Sequence, residues 1–82
     1  MAKTVLRIRP VEAGTHSGIL QQALYGFYRL RLKPEHDGTH QVEIPTERII
    51  EPKQFRRRNQ FTIDELKSTI MSLGHQVVEM IT

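Results

Sequence analysis

Apolar and polar side chains alternate with period two in several stretches of this chain and recur at helical spacing in two others. Residues 4–9 read Thr-Val-Leu-Arg-Ile-Arg. As a strand they send Leu6 and Ile8 to one face and Val5, Arg7 and Arg9 to the other. Pro10 ends the strand, because a central strand needs the N–H that proline lacks. After a loop through Gly14, Ser17 is placed to cap a helix that carries Ile19, Leu20, Ala23, Leu24 and Phe27 at helical intervals. Gly26 would close that helix in the left-handed conformation. Phe27-Tyr28-Arg29-Leu30-Arg31-Leu32-Lys33 then alternates as a second strand. The competing reading, one helix running to about residue 32, sets Arg31 on the apolar stripe with Leu20 and Leu24 and is disfavoured for that reason.

Asp37-Gly38 signals a hairpin turn. Beyond it Val42 and Ile44 share one face, and Gln41 and Glu43 the other. A strict two-residue turn pairs Leu32 with Glu43 and mixes core with solvent. A longer loop, pairing Leu32 with Ile44 and Lys33 with Glu43, is therefore expected. Pro34 puts the second strand at a sheet edge. Residues 46–50 are expected to continue the third strand past Pro45 through a bulge, and 51–61 form the longest loop.

The second helix is the best marked. Thr62-Ile63-Asp64-Glu65 is a capping box, with Phe61 placed to staple onto Leu66. Ile63, Leu66, Ile70 and Leu73 make its buried stripe, and Gly74 stops it. His75 to Ile81 reads as a last strand. The order β-α-β-β-α-β predicts an α+β fold: a small two-layer, ferredoxin-like sandwich, with two helices on one face of an antiparallel sheet. A chain of 82 residues is expected to make one domain, residues 1–82.

Composition narrows the chemistry. There is no cysteine, so disulfides, thiolate metal sites and thiol catalysis are excluded, and a reducing, cytoplasmic setting is expected. Arg7 and Arg9 interrupt the N-terminal apolar run, which argues against a signal peptide. No stretch reaches the roughly 20 apolar residues of a membrane span. Twelve basic residues against nine acidic ones give a net charge of +3, which permits polyanion binding without requiring it. A thin core with open sheet edges also invites a homodimer.

Two constellations carry the functional reading. On the strand assignments, Arg7, Arg9, Phe27, Arg29, Arg31 and Lys33 face away from the helices. Cations around an aromatic ring suit single-stranded nucleic acid, with bases stacking while Arg and Lys meet phosphates. The plainer reading is an ordinary solvated face, with Glu43 across from Lys33. The other constellation is Arg56-Arg57-Arg58, between Phe55 and Phe61. Guanidinium forks suit phosphate or carboxylate; the plainer reading is a solvated loop pinned by its two phenylalanines.

Other motifs are weaker. His36 and His40, beside Glu35 and Asp37, straddle a turn and lack a third strong ligand, so no metal is expected. His16-Ser17 is no triad, and His75 is placed to cap a helix C-terminus. There is no phosphate loop or dinucleotide turn, so neither catalysis nor a cofactor is expected. The topology is similar to that of the RNA-recognition-motif family. That family carries its aromatics on the first and third strands, where this chain has Arg7, Arg9, Gln41 and Glu43, so no family is assigned. The expected function is a small non-catalytic module that contacts nucleic acid or another polyanion. The alternative is a protein-interaction adaptor or small inhibitor, of a phage or mobile-element kind, docking on an acidic surface of a larger complex.

Overall fold

A computed structural model describes residues 2–35 and 37–82. In chain order these form β1 (Lys3–Pro10), α1 (Gly18–Ala23), a π-helical turn (Leu24–Tyr28), β2 (Lys33–Pro34), β3 (His40–Pro45), a 3-10 turn (Thr46–Arg48), α2 (Ile63–Ser72) and β4 (His75–Ile81). The strands make one four-stranded antiparallel sheet in the order β2-β3-β1-β4. The architecture is thus α+β, with a two-residue edge strand at one side and a seven-residue one at the other.

The core follows from period two on the central strands. Leu6 pairs with Val42 and Thr4 with Ile44, so both strands send their buried residues to one face. Leu20, Leu24, Tyr28, Leu66 and Ile70 join Leu6, Ile8, Val42 and Ile44 in a single cluster on that face. Both helices therefore cover the same side of the sheet. On β4 a bulge at Val78 separates the pairs Arg7–Glu79 and Ile8–Val77. It re-phases the strand, so that Val77 and Met80 both lie on the helix side.

The region after α1 departs from expectation. Instead of ending at Gly26, the helix widens into a π turn that runs to Tyr28. Leu20, Leu24 and Tyr28 lie four residues apart and are all buried, so continuing the helix keeps one apolar stripe intact. The left-handed closing residue is Arg29 (φ 56). Its N–H donates to the Tyr25 carbonyl at 3.2 Å, and the Leu30 N–H donates to Leu24 at 3.0 Å. The expected strand from Phe27 to Lys33 shrinks to Lys33–Pro34, and Phe27 sits on the helical end rather than on the sheet. Tyr28, Leu30 and Leu32 are nonetheless buried and Arg29, Arg31 and Lys33 exposed, so the side chains alternate without a ladder.

The hairpin register also differs. Lys33 pairs with Gln41 rather than Glu43, and the Glu35 N–H donates to Thr39 at 2.9 Å. This is a two-residue shift, which leaves each side chain on its expected face. Gly38 (φ 82) makes the tighter loop practicable. Residues 46–50 do not extend β3: Thr46–Arg48 turn as 3-10 helix, and Ile49 makes a lone parallel bridge to Phe61.

At α2 the Thr62 hydroxyl accepts from the Glu65 N–H at 3.1 Å, as its sequence predicts. The Glu65 carboxylate turns outward to Arg56. Phe61 is buried in the core cluster, edge-on to Tyr28 with ring centroids 5.1 Å apart. Ser17 does not cap α1 with its side chain; the Gly18 N–H donates to His16 Nδ1 at 3.0 Å instead. The Ser17 hydroxyl meets buried His75 Nε2 at 3.1 Å, and His75 Nδ1 lies 2.9 Å from the Leu73 carbonyl. A carbonyl only accepts, so Nδ1 carries the proton and, in the neutral ring, Nε2 accepts from Ser17. His75 thereby ties the end of α2 to the start of α1. No helix among the described residues is long and apolar enough to cross a membrane.

Candidate polyanion interface

Of the cations assigned to the open sheet face, Arg7 and Lys33 are matched by carboxylates, whereas Arg9 has no ion pair within 4.0 Å among the described residues. Glu43 stands between Lys3 at 3.6 Å and Lys33 at 3.8 Å. Arg7 lies between Asp37 at 3.1 Å and Glu79 at 3.7 Å. The Thr39 hydroxyl and N–H both donate to Asp37, and with Arg7 they hold its carboxyl below the ordinary carboxylate value. Arg9 opens onto a shallow hollow of about 180 Å³ that it shares with Arg7, Asp37 and Glu79. Exposed pairs of this kind add little stability, but they settle the charge balance. The expected basic face is therefore a salt-bridged one around Arg7, because β4 and the hairpin tip bring acids to it.

Positive charge in excess of the local acid gathers instead beside β3, where the β2 ladder stops. Residues 29–32 run past β3 without pairing to it. The gap is a hollow of about 310 Å³ lined by Arg29, Leu30, Arg31, Lys33, Glu43, Pro45 and Arg48. Four cations thus surround a single carboxylate, which already serves Lys3 and Lys33.

Arg48 organises this corner. Its Nε–H donates to the Asn59 carbonyl at 2.8 Å, and its Nη2 donates to the Tyr28 carbonyl. The guanidinium also stands 5.2 Å from the Phe61 ring centroid. Partial burial lowers the Arg48 pKa from its ordinary value, yet an arginine remains charged at any physiological pH. Arg29 and Asn59, at φ 56 and 68, are the non-glycine residues with positive φ among the described residues. Arg48 binds the carbonyl just before Arg29 and that of Asn59 itself. One side chain thus clamps the chain beside two locally unfavourable conformations.

The clamp brings the arginine loop to the same corner. Gln60 Oε1 accepts from the Arg57 N–H at 2.8 Å, and Gln60 Nε2 donates to the Glu47 carbonyl at 3.0 Å. Arg56 is neutralised by a fork onto Glu65, with contacts of 2.6 and 3.2 Å. Arg57 and Arg58 are exposed and make no ion pair within 4.0 Å among the described residues. Phe55, expected to pin the loop, is 86% exposed, and Phe61 alone anchors it.

The predicted residues thus divide. Arg29 and Arg31 meet at the hollow, Arg57 and Arg58 crown the adjoining loop, Arg7 and Arg56 are spent on carboxylates, and Arg9 lies on the sheet. Phe27, 83% exposed, stands at the helix end. Sequence reasoning missed Arg48, which lay in an assumed strand, and Tyr25, whose ring lies under the Arg29 guanidinium at 5.9 Å. Tyr25 was legible in principle as an aromatic off the apolar stripe; nothing local marks Arg48. His36 lies outside the described residues, so the His36–His40 pair is not placed. No cluster of three metal-ligating side chains occurs among the described residues.

No protein-family model matches this sequence, and comparison with curated proteins and with solved structures finds no match.

Proposed function

We propose that this chain is a non-catalytic module that binds single-stranded nucleic acid at the corner between the α1 end, β3 and the arginine loop. The observation that carries the reading is the hollow in which Arg29, Arg31, Lys33 and Arg48 surround one already engaged carboxylate. Arg29, Arg31 and Arg48 have no ion pair among the described residues, and cations gathered in excess of the one acid repel one another unless an anion approaches, while the Arg48 clamp fixes the chain next to Arg29. Arg57 and Arg58 extend the positive track, Tyr25 offers an exposed ring beside Arg29, and Phe27 offers a second exposed ring at the helix end. Arg7, Arg9 and Arg56 drop to supporting roles. The strand order supports a ferredoxin-like assignment of the fold, and the lack of cysteine supports a cytoplasmic setting.

The test is fluorescence anisotropy with labelled single-stranded DNA and RNA at two salt concentrations. Contact with three phosphates, one in the hollow and one each at Arg57 and Arg58, gives a log-log slope of about −2, so a fourfold rise in salt weakens binding about twenty-fold. An Arg29→Gln/Arg31→Gln/Lys33→Gln variant, checked for folding by circular dichroism, is expected to bind weakly and with a flatter slope. Absence of binding at low salt, or unchanged affinity in the variant, overturns the reading.

A second reading rests on a different observation. β4 is an open edge strand that exposes Val78, Met80 and Ile81, and such an edge can pair with a protein partner or a second copy of this chain. A nuclease-treated pulldown that recovers one stoichiometric protein favours this adaptor reading over the first.

A further inference from the structure

The cationic hollow has a neighbour of different chemistry. A second hollow of about 440 Å³ is lined by Gln21, Tyr25, Leu30, Arg31, Leu32 and Lys33. The two share Leu30, Arg31 and Lys33, so Arg31 and Lys33 stand between them. Both fall in the size range of small-molecule sites. One offers three guanidinium groups and an ammonium against the single Glu43 carboxylate, which Lys3 and Lys33 already engage; the other adds a phenol ring, a primary amide and an apolar segment of chain to the shared Arg31 and Lys33.

We infer that the two hollows together read one nucleotide unit of the bound strand, with the phosphate among Arg29, Arg31, Lys33 and Arg48 and a purine base against Tyr25 and Gln21. This rests on the proposed nucleic-acid binding and goes beyond it by assigning base contact to named residues. Tyr25 is 54% exposed, so its ring has surface free for stacking, and the Arg29 guanidinium already rests by that ring. A base inserted there stacks on an aromatic system and a guanidinium plane, the usual pairing for an unstacked base. Gln21 lies four residues before Tyr25, on the same side of the helix. Its amide carries both a donor and an acceptor, and glutamine pairs bidentately with adenine. Residues 31 and 32, which line this hollow, take no part in the β3 ladder.

The position of the cations gives the arrangement its logic. With Arg31 and Lys33 between the hollows, a base on Tyr25 leaves its own phosphate within reach of the four cations. The hollow beside Arg9, lined by Arg7, Asp37, Thr39, Val78 and Glu79, has no aromatic side chain and two carboxylates, so it is unsuited to this task.

The experiment compares a 12-nucleotide oligo-dA with an abasic oligomer of the same length and charge. Wild type is expected to bind oligo-dA about tenfold more tightly than the abasic strand, from one stacked base. Tyr25→Ala and Gln21→Ala are expected to remove this difference while leaving abasic affinity and its salt slope unchanged; Tyr25→Phe retains most of it. Equal affinity of wild type for both strands, with a steep salt slope, overturns the base contact and leaves phosphate binding intact. A Tyr25→Ala variant that weakens both strands equally also overturns it, since the ring would then only position Arg29. Failure of wild type to bind either strand removes the underlying reading as well.

Discussion

Replacing Arg48 with methionine keeps an unbranched, apolar stem over Phe61 and removes the guanidinium that clamps Tyr28 and Asn59. Two hydrogen bonds from a charged donor are lost, one to each carbonyl. Bonds of that kind contribute about 1.5–3 kcal/mol each. The side chain is only half-buried, so water can replace part of each and the lower figure applies, giving about 3 kcal/mol for the pair. Loss of the contact with the Phe61 ring, at 5.2 Å, adds about 0.5 kcal/mol. A domain of this size has a total stability of about 4–12 kcal/mol, so the substitution removes a large share. For the total of about 3.5 kcal/mol, the expected fall in Tm is about 14–28 °C. In urea, with a slope of about 1 kcal/mol per molar, the midpoint drops by about 3.5 M. Arg48→Lys keeps the charge but loses the fork that spans both carbonyls, and is expected to recover about half. A change below about 0.5 kcal/mol in Arg48→Met, the size of an ordinary surface substitution, would refute the clamp and the account of why Arg29 and Asn59 tolerate positive φ.

Further outcomes follow from single features. Thr62→Ala is expected to cost about 1 kcal/mol by urea denaturation through loss of the α2 cap, whereas Arg56→Ala, which breaks an exposed ion pair, costs less than about 0.5 kcal/mol. Arg29→Gly relieves a left-handed arginine worth about 1–2 kcal/mol against an entropic cost of about 0.5–1 kcal/mol; thermal melts should show a small gain in stability while anisotropy shows weaker oligonucleotide binding. At Asp37 the folded pKa is depressed, first by the Thr39 hydroxyl, so the ionised carboxylate favours the native state. Its contribution is complete above the ordinary value of 3.8 and is lost as pH falls through the lower folded value. The difference in urea midpoint between wild type and Asp37→Asn should therefore be constant from neutrality down into the ordinary carboxylate range and shrink only as pH falls below 3.8.

Much of the fold was legible because it rests on local periodicity. The α2 cap, its stripe through Leu66 and Ile70, the Gly74 stop and the two faces of β1 and β3 all follow from spacing along the chain. The errors cluster between Gly26 and Lys33, where two periods overlap. Leu20, Leu24 and Tyr28 favour helix, while Tyr28, Leu30 and Leu32 favour extended chain. The molecule satisfies both by turning sharply at Arg29, and no residue type announced that an arginine would take the conformation suited to the nearby glycine. The candidate site was legible as a set of arginines but not as an arrangement. Arg7 and Arg56 look like Arg31 and Arg57 until Glu79, Asp37 and Glu65 are brought beside two of them.

By itself the amino-acid order determined which side chains are buried along most of the chain, since burial follows from a period of two or 3.6 that each segment carries within itself. It also determined the net positive charge and the absence of thiol chemistry. Tertiary structure decided which cations remain unmatched, because ion pairing joins residues remote in sequence, as in Arg7 with Asp37 and Glu79. It likewise decided that residues 29–32 stay unpaired beside β3, since a ladder needs a partner strand at the right distance, and here the Arg48 clamp and the left-handed turn at Arg29 set where that segment runs.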